Sequence, residues 1–357
     1  MLIDYSSDYI WMEKISLALL YPPKDPEIRQ ELFRVFLNSV QLEISSFCNR
    51  SCSFCSNTRV DRHSVNVFMS DNLFMSIIEQ LAAIRFSGRL CFHRYNEPLA
   101  YKEKLLEKIT LARKLLPDAV LYTNTNGDYL NATTFLELQE AGLNEINVQV
   151  YIDKLSSPDS DELITAFTKL ISKSNIRNYT WDVPIGGCYA RAVADCSGML
   201  VSFNYAHPST MSDRAGLAPK QKHVRTAPCK RILFDLYVDY NGYAVPCCSM
   251  RSDAPEHQKY ILGNVSEVSL IDLYFSESLS VWRKRLLFFA DQAHPEPCTH
   301  CTIGDQTDTP EVRRQLEEAC CVSIRDIKQL QKMRTKDAPF LSELKSKSLL
   351  ALARLFN

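Results

Sequence analysis

The 357-residue chain contains no apolar run approaching the roughly 20 residues that cross a bilayer as a helix. That excludes a helical membrane span on hydropathy. Net charge is also lacking: 41 Lys and Arg stand against 42 Asp and Glu, a balance of -1. No bulk field draws the chain to nucleic acid or to an acidic membrane surface. The first residues, MLIDYSSDYIWMEK, have neither a basic stretch nor a small-residue cleavage site. No secretory signal is read there, and a cytoplasmic location is expected. Internal repeats and low-complexity tracts are missing as well. With 46% hydrophobic and 23% charged residues, the composition is that of a folded globular protein and excludes disorder on a large scale. The length suits one large domain, or a large one with a small companion.

Cysteine is not lacking. The chain has 13, too dilute for a small disulfide scaffold. In a reducing compartment, clustered cysteines hold metal or carry redox chemistry. Their spacing therefore decides the reading.

Residues 1–38 read as helical, interrupted at Pro22-Pro23. VQLEISSFCN (40–49) reads as a strand entering a loop. Helices over about 71–86, 101–116, 132–141 and 159–173 then alternate with strands at about 89–95, 119–125, 145–152 and 178–185. This β-then-α order predicts an α/β fold with a parallel sheet and covering helices. Its period suggests a TIM-type barrel or part of one. Residues 186–228 read as irregular, around Gly186-Gly187 and Pro208. Next, ILFDLYVDY, Asn241-Gly242 and YAVPCC predict a β-hairpin, because Asn-Gly between β-rich runs is a strong turn signal. A helix over about 268–288 and the loop HPEPCTHC complete a small second unit. The expected division is a helical extension (1–39), a barrel (40–228), a hairpin-plus-helix unit (229–305) and a charged helical tail (306–357).

Cys48, Cys52 and Cys55 are spaced C-x3-C-x2-C just after a predicted strand, where barrel folds place active-site loops. Four thiolates saturate an iron–sulfur cubane. Three leave one iron open to a small molecule, the logic of a catalytic metal. The alternative is structural zinc, with His63 as the nearest fourth ligand.

CNRSCSFC, with Phe54 before its last cysteine, is the C-x3-C-x-aromatic-C signature of the radical S-adenosylmethionine (SAM) superfamily. The chain resembles that family over roughly residues 40–305. The resemblance implies a partial (β/α)6 barrel and a catalytic [4Fe-4S] cluster on Cys48, Cys52 and Cys55. It further implies S-adenosylmethionine bound to the open iron through its amino and carboxylate groups. Reductive cleavage in that family yields methionine and a 5′-deoxyadenosyl radical, which abstracts a substrate hydrogen. Asn96-Glu97-Pro98 stands where relatives often carry Gly-Gly-Glu-Pro. The resemblance thus makes Glu97 the contact for the SAM ammonium, which a carboxylate suits; a turn with a solvated Glu is the plain alternative. Thr123-Asn124-Thr125-Asn126-Gly127 is similar to segments that face the cofactor in relatives, although Asn-Gly is also a common turn. Gln149 and Tyr151 are expected toward the ribose, and Arg191 or Arg214 toward the cofactor carboxylate. His93 and Arg94 are candidates to touch substrate or that carboxylate, or to form a structural ion pair.

A second set comprises Cys229, Cys247, Cys298 and Cys301. A hairpin and a C-x2-C loop are a common way to close a four-thiolate site. The order C…G-x4-C…C-x2-C resembles the twitch domain, the one-cluster form of the SPASM extension. It implies an auxiliary [4Fe-4S] cluster; zinc is the rival on chemistry alone. Cys320 and Cys321 do not fit a further cluster. Cys248 is expected as a core thiol, a substitute ligand or a hydrogen-atom donor to a substrate radical. Cys91, Cys188 and Cys196 read as ordinary buried thiols.

The resemblance implies hydrogen abstraction from a small molecule, with dehydrogenation assisted by the auxiliary cluster, and a reducing partner such as flavodoxin or ferredoxin. Modification of a peptide by epimerisation or crosslinking is the alternative. Only about forty residues precede the first cluster, few for a leader-peptide-binding domain, so a small-molecule substrate is expected. A zinc-stabilised binding protein without catalysis is the reading from another class.

Overall fold

The computed structural model of the protein describes residues 19–303, apart from 65, 153–157, 186, 187, 221, 226–228, 230, 288–293 and 295. The expected helix over residues 1–18, Gly186-Gly187, Cys320, Cys321 and the charged tail lie outside the described residues.

The strands, in chain order, are β1 (Ser39–Leu42), β2 (Arg89–Cys91), β3 (Val120–Thr125), β4 (Glu145–Gln149), β5 (Thr180–Val183), β6 (Tyr189–Cys196), β7 (Met199–Ala206), β8 (Asp235–Val238), β9 (Tyr243–Val245) and β10 (Gly263–Asn264). The helices are α1 (Pro26–Phe36), α2 (Asp71–Ala83), α3 (Lys102–Leu115), α4 (Ala132–Glu140), α5 (Ser160–Lys173), α6 (Arg231–Phe234), α7 (Leu270–Tyr274) and α8 (Glu277–Leu287). One sheet holds all ten strands in the order β10-β9-β8-β1-β2-β3-β4-β7-β6-β5. Its middle, β8-β1-β2-β3-β4-β7, is parallel throughout. The α/β class with a parallel core is therefore as the sequence predicts.

Local chemistry explains the helices that alternate with these strands. Asp25 accepts the Glu27 and Ile28 N–H groups ahead of α1, whose first residue is a proline. Ser70 caps α2 at Leu73 N. That helix then buries Phe74, Ile77, Ile78 and Leu81, the i, i+3, i+4, i+7 stripe of an amphipathic helix. Each such side chain contributes roughly 1.5–3 kcal/mol when fully buried. Asp159 and Glu162 form a reciprocal capping box on α5. Each helix presses its apolar face onto the sheet in one continuous core.

Two sequence expectations change. The strand expected at 178–185 is not a parallel barrel strand: β5 pairs antiparallel with β6 at the sheet edge. The fifth parallel partner is β7, beside β4, inside the stretch expected to be irregular. β6 and β7 form a hairpin through Ser197 and Gly198, both at positive φ (54° and 89°). Two residues of positive φ match the right-handed twist of the flanking strands. Ser-Gly is a weaker signal for that turn than Asn-Gly, which hides the pair. The second change concerns the Asn241-Gly242 hairpin, β8–β9. Its first strand joins the main sheet, because β8 pairs in parallel with β1 from Ser39↔Asp235 to Leu42↔Val238.

Alternation along the central strands sets up the site. In β4, Ile146 and Val148 are buried, while Glu145, Asn147 and Gln149 share the other face. The register puts Asn124 of β3 beside Asn147, and Asn147 beside Ser202 of β7. A row of polar side chains thus crosses the sheet. Among the described residues, no helix is long and apolar enough to cross a membrane.

Candidate active site

The loop after β1 carries the first three cysteines. Cys55 N donates to Cys52 O at 2.9 Å, closing a tight turn, and Cys48 N donates to Arg62 O at 3.1 Å. Arg62 is 1% exposed and pairs with Glu43 (3.1 Å), itself 0% exposed, and with Asp253 (2.9 Å). The loop is thus held by a buried ion pair at its base. All three thiols border one cavity of about 360 Å³, within the range of roughly 300–1,000 Å³ for small-molecule sites. Burial pushes the Cys48 thiol up to about 12, and the neighbouring carboxylate of Glu97 and thiols of Cys55 and Cys52 add to the effect. Thiolates gathered there call for a cationic partner.

Glu97 lines the same cavity and is 2% exposed. One carboxylate oxygen accepts Thr125 Oγ1 at 2.7 Å and Leu99 N at 3.1 Å. The other accepts Asn126 N at 2.7 Å. Glu97 therefore caps the short 3-10 helix Pro98–Tyr101 and ties the β2 loop to the end of β3. Burial raises its pKa to about 7 despite these donors. Three of the roughly four acceptor directions of a carboxylate are used, which leaves one for a cationic ligand. Asn96 is 2% exposed and accepts Arg94 N through its side chain. With buried Pro98 it shapes the turn.

The polar row leads to His93. Asn204 Nδ2 donates to the Ser202 carbonyl and hydroxyl. Ser202 Oγ donates to Asn147 Oδ1 at 2.6 Å, Asn147 Nδ2 to Asn124 Oδ1 at 3.0 Å, and Asn124 Nδ2 to His93 Nδ1 at 3.1 Å. A backbone carbonyl anchors the far end, so every donor points toward His93. The imidazole accepts at Nδ1. Burial, followed by the charges of Arg214 and Arg94, lowers its pKa to about 3, so His93 is neutral.

The expected ribose-facing residues also meet. Tyr151 lies between Phe54, with ring centroids 5.4 Å apart, and the Arg50 guanidinium, 5.3 Å from its ring. Asp128 holds Arg50 in turn at 2.5 Å. Gln149 and Asn126 line the cavity beside them. Asn126 Nδ2 reaches Asn49 Oδ1 at 2.8 Å, tying β3 back to the cysteine loop.

Of the arginines, Arg191 pairs with Asp182 on β5 at 3.1 Å. Arg214 lines the cavity, with its Nε unpartnered. Burial works against its charge, while Tyr95, Cys55 and Cys248 favour it. Its φ of 51°, and that of 55° at Ala215, are strained for residues with a Cβ. Arg94 lines the cavity too, but its Nε lies 2.9 Å from Asp239 Oδ1 and its Nη2 donates to Met250 O. Nε and Nη1 have no hydrogen-bond partner, and of the two only Nε sits in the ion pair. His63 meets Ser51 Oγ at 3.1 Å.

The second cysteine set gathers beyond β9, where Cys247 and Cys298 each neighbour Cys229 and Cys301. Cys247 closes β9, and its Sγ accepts Ser249 N–H at 3.3 Å. Cys301 N donates to Cys298 O, the same turn as at Cys52–Cys55, and Cys229 N donates to Leu286 O. Burial raises Cys298, with Cys229 and Cys301 next in effect. Cys301 is pushed to about 11 by burial, against the pull of Arg225. Cys248 turns toward the main cavity. Its hydrogen bond with Cys247 lowers its pKa, and Arg231, Arg214 and Arg94 favour its thiolate. All 11 described cysteines are free.

Comparison with known proteins agrees with this layout. Residues 42–183 match the family model of the Radical SAM superfamily, and residues 229–302 match SPASM, an iron–sulfur cluster-binding domain. The chain thus carries a radical SAM domain followed by a SPASM domain. It is 23% identical over 280 residues to the S-adenosyl-L-methionine-dependent 2-deoxy-scyllo-inosamine dehydrogenase of Niallia circulans, across 75% of this chain and 94% of the relative. Its fold is similar to that of BtrN, solved in complex with AdoMet and 2-DOIA, at a TM-score of 0.52 and 23% identity, over 70% of this chain and 87% of that one. Radical SAM and SPASM domains bring [4Fe-4S] clusters and S-adenosylmethionine as cofactors. The residues present fit them: two thiol-rich loops of soft donors, and a polar cavity bordered by the first.

Gln41, Met211 and Arg231 also border this cavity, and sequence reasoning missed all three. Arg231 directly precedes the predicted hairpin, but nothing in its local pattern signals that position. Arg225 and Arg251, which brace the cysteine loops, were missed as well.

Proposed function

We propose that this protein is a radical SAM dehydrogenase that oxidises a hydroxyl group on a small polyhydroxylated molecule of the cyclitol or aminocyclitol kind. One observation carries the reading: the three-cysteine loop, the polar strand ends and Cys248, the chain neighbour of Cys247 in the second cysteine set, all border a single cavity. A substrate seated there lies between the two thiol sites. The name of the Niallia circulans relative, a dehydrogenase of 2-deoxy-scyllo-inosamine, supports the substrate class.

In this reading Cys48, Cys52 and Cys55 hold the catalytic [4Fe-4S] cluster, and Cys229, Cys247, Cys298 and Cys301 hold the auxiliary one. When bound, these groups and S-adenosylmethionine supply a hydrogen-abstracting 5′-deoxyadenosyl radical and an electron acceptor. The protein's own residues position the reactants. Glu97 receives the SAM ammonium on its remaining lone pair, and Arg214 receives the carboxylate. Phe54, Tyr151, Gln149, Asn124 and Asn126 wall the nucleoside side, while Asn96 and Pro98 fix the turn that presents Glu97. Arg94, through its free Nη1, and Cys248 face the substrate. His93 offers its Nε2–H to a substrate oxygen, because the polar row fixes its Nδ1 as acceptor. A flavodoxin or ferredoxin in the cytoplasm supplies reducing electrons.

The test is anaerobic incubation of reconstituted protein with S-adenosylmethionine, dithionite and 2-deoxy-scyllo-inosamine. The expected products are 5′-deoxyadenosine and the corresponding ketone. No 5′-deoxyadenosine from the wild type, or full activity in Cys52→Ala, defeats the radical reading. Turnover on a short peptide instead of any cyclitol defeats the substrate class.

A further inference from the structure

One buried cation outside the cavity stands against the auxiliary cysteines. Arg225 is 1% exposed. Its N–H donates to Thr299 O at 2.8 Å, and its carbonyl accepts His294 N at 3.0 Å. Its Nη1 donates to Ile303 O at 2.7 Å and lies 3.8 Å from Cys301 Sγ, 76 residues away in sequence. Main chain and side chain together thus thread Arg225 into the loop that carries Cys298 and Cys301. Its charge opposes the effect of burial at both of those thiols.

We propose that Arg225 sets the reduction potential of the auxiliary cluster, by directing an N–H group and a fixed positive charge at the Cys301 sulfur. The inference rests on the reading of Cys229, Cys247, Cys298 and Cys301 as cluster ligands. One-electron reduction of a four-thiolate cluster adds one negative charge to a site whose cysteines are half-buried. A cation and a hydrogen bond at a ligand sulfur stabilise the reduced form more than the oxidised one, and so raise the potential. Arginine suits the task because it does not lose its charge at any working pH. The bond to Ile303 O keeps the guanidinium in place. A raised potential makes the cluster a better acceptor for an electron leaving a substrate radical.

The experiment is a redox titration of the full-length, two-cluster protein, followed by electron paramagnetic resonance. Added S-adenosylmethionine shifts the signal of the open-site cluster and so identifies the auxiliary one. Arg225→Gln is expected to shift the auxiliary couple to lower potential. At the wild-type midpoint, the reduced-to-oxidised ratio falls about tenfold or more, which for one electron is about 59 mV. Arg225→Lys, which keeps the charge but not the planar guanidinium that places Nη1 between Ile303 O and Cys301 Sγ, moves the couple the same way by less. An unchanged or raised midpoint in Arg225→Gln with its iron intact overturns the proposal. If Arg225→Gln fails to keep the cluster, an unshifted Arg225→Lys overturns it, and so does loss of the auxiliary iron from both variants, which makes Arg225 only a brace. A wild type with about four irons instead of about eight overturns the ligand reading itself, a distinct result.

Discussion

Arg251 Nη1 donates to Asn57 Oδ1 at 2.9 Å and to Ser56 Oγ at 2.9 Å, although 194 and 195 residues separate them in sequence. The same guanidinium pairs with Asp253 at 2.6 Å, and Asp253 pairs with Arg62, which pairs with Glu43. A buried ionic web thus fastens the loop after β9 to the loop that carries Cys48, Cys52 and Cys55. Removing one member leaves its partners buried and under-compensated, at a cost of about 3–5 kcal/mol. Arg251→Met is expected to unfold at correspondingly lower urea and to lose iron from the three-cysteine loop first. Urea unfolding with iron analysis checks this; a variant as stable as the wild type contradicts it.

Glu97→Gln removes the negative charge but keeps the shape. Its oxygen can still serve Thr125 and Leu99, while the new amide faces the Asn126 N–H. A hydrogen bond to a charged group is worth about 1.5–3 kcal/mol, so binding of S-adenosylmethionine should weaken about 10- to 100-fold with cluster iron unchanged. Equilibrium dialysis measures it, and equal affinity would remove Glu97 from the cofactor's contacts.

His93 makes a prediction with a definite sign. Its pKa falls from the ordinary 6.5 to about 3 in the fold. Between those values the unfolded chain binds the proton and the folded chain does not. Its contribution to stability is therefore complete above pH 6.5 and is lost as the pH falls toward 3. Relative to His93→Asn, the wild type should lose up to about 1.4 kcal/mol per pH unit in that window, and less to the extent that the ring faces the cavity. Urea unfolding at pH 7.5 and 5.5 gives the difference; a gap between the two proteins that does not move with pH counts against it.

Adjacent cysteines should behave differently. Cys247→Ala is expected to lose the auxiliary iron, about half of the total for two cubanes. Cys248→Ala is expected to keep it and to lower substrate turnover. Loss of half the iron in Cys248→Ala would exchange the two assignments.

Much of this was legible along the chain because it is local. CNRSCSFC, the Asn96-Glu97-Pro98 turn and the C-x2-C pair each lie within a few residues. The helices α2 to α5 announce themselves by period and caps. The β6–β7 hairpin was not legible, since Ser197-Gly198 is a muted turn signal and the strand row shows only as pairing with β4. Arg225 and Arg251 were hidden for another reason. Their partners lie 76 and 194–195 residues away, and a solitary arginine carries no pattern that names a distant sulfur or amide. The route from Asn204 to His93 depends on strand register, which only folding fixes.

The parallel pairing of β8 with β1 has a consequence for electron flow. The strand before Cys48, β1, and the strand before Cys247, β9, flank β8 on one hydrogen-bonded lattice. Ladder register therefore sets the spacing of the strand ends from which the two cysteine loops spring. A slip of one residue would carry Cys247 about 3.3 Å along the strand and turn its neighbours to the opposite face. The two cysteine loops are thus mounted on one continuous frame, and a change in their spacing must come from the loops themselves.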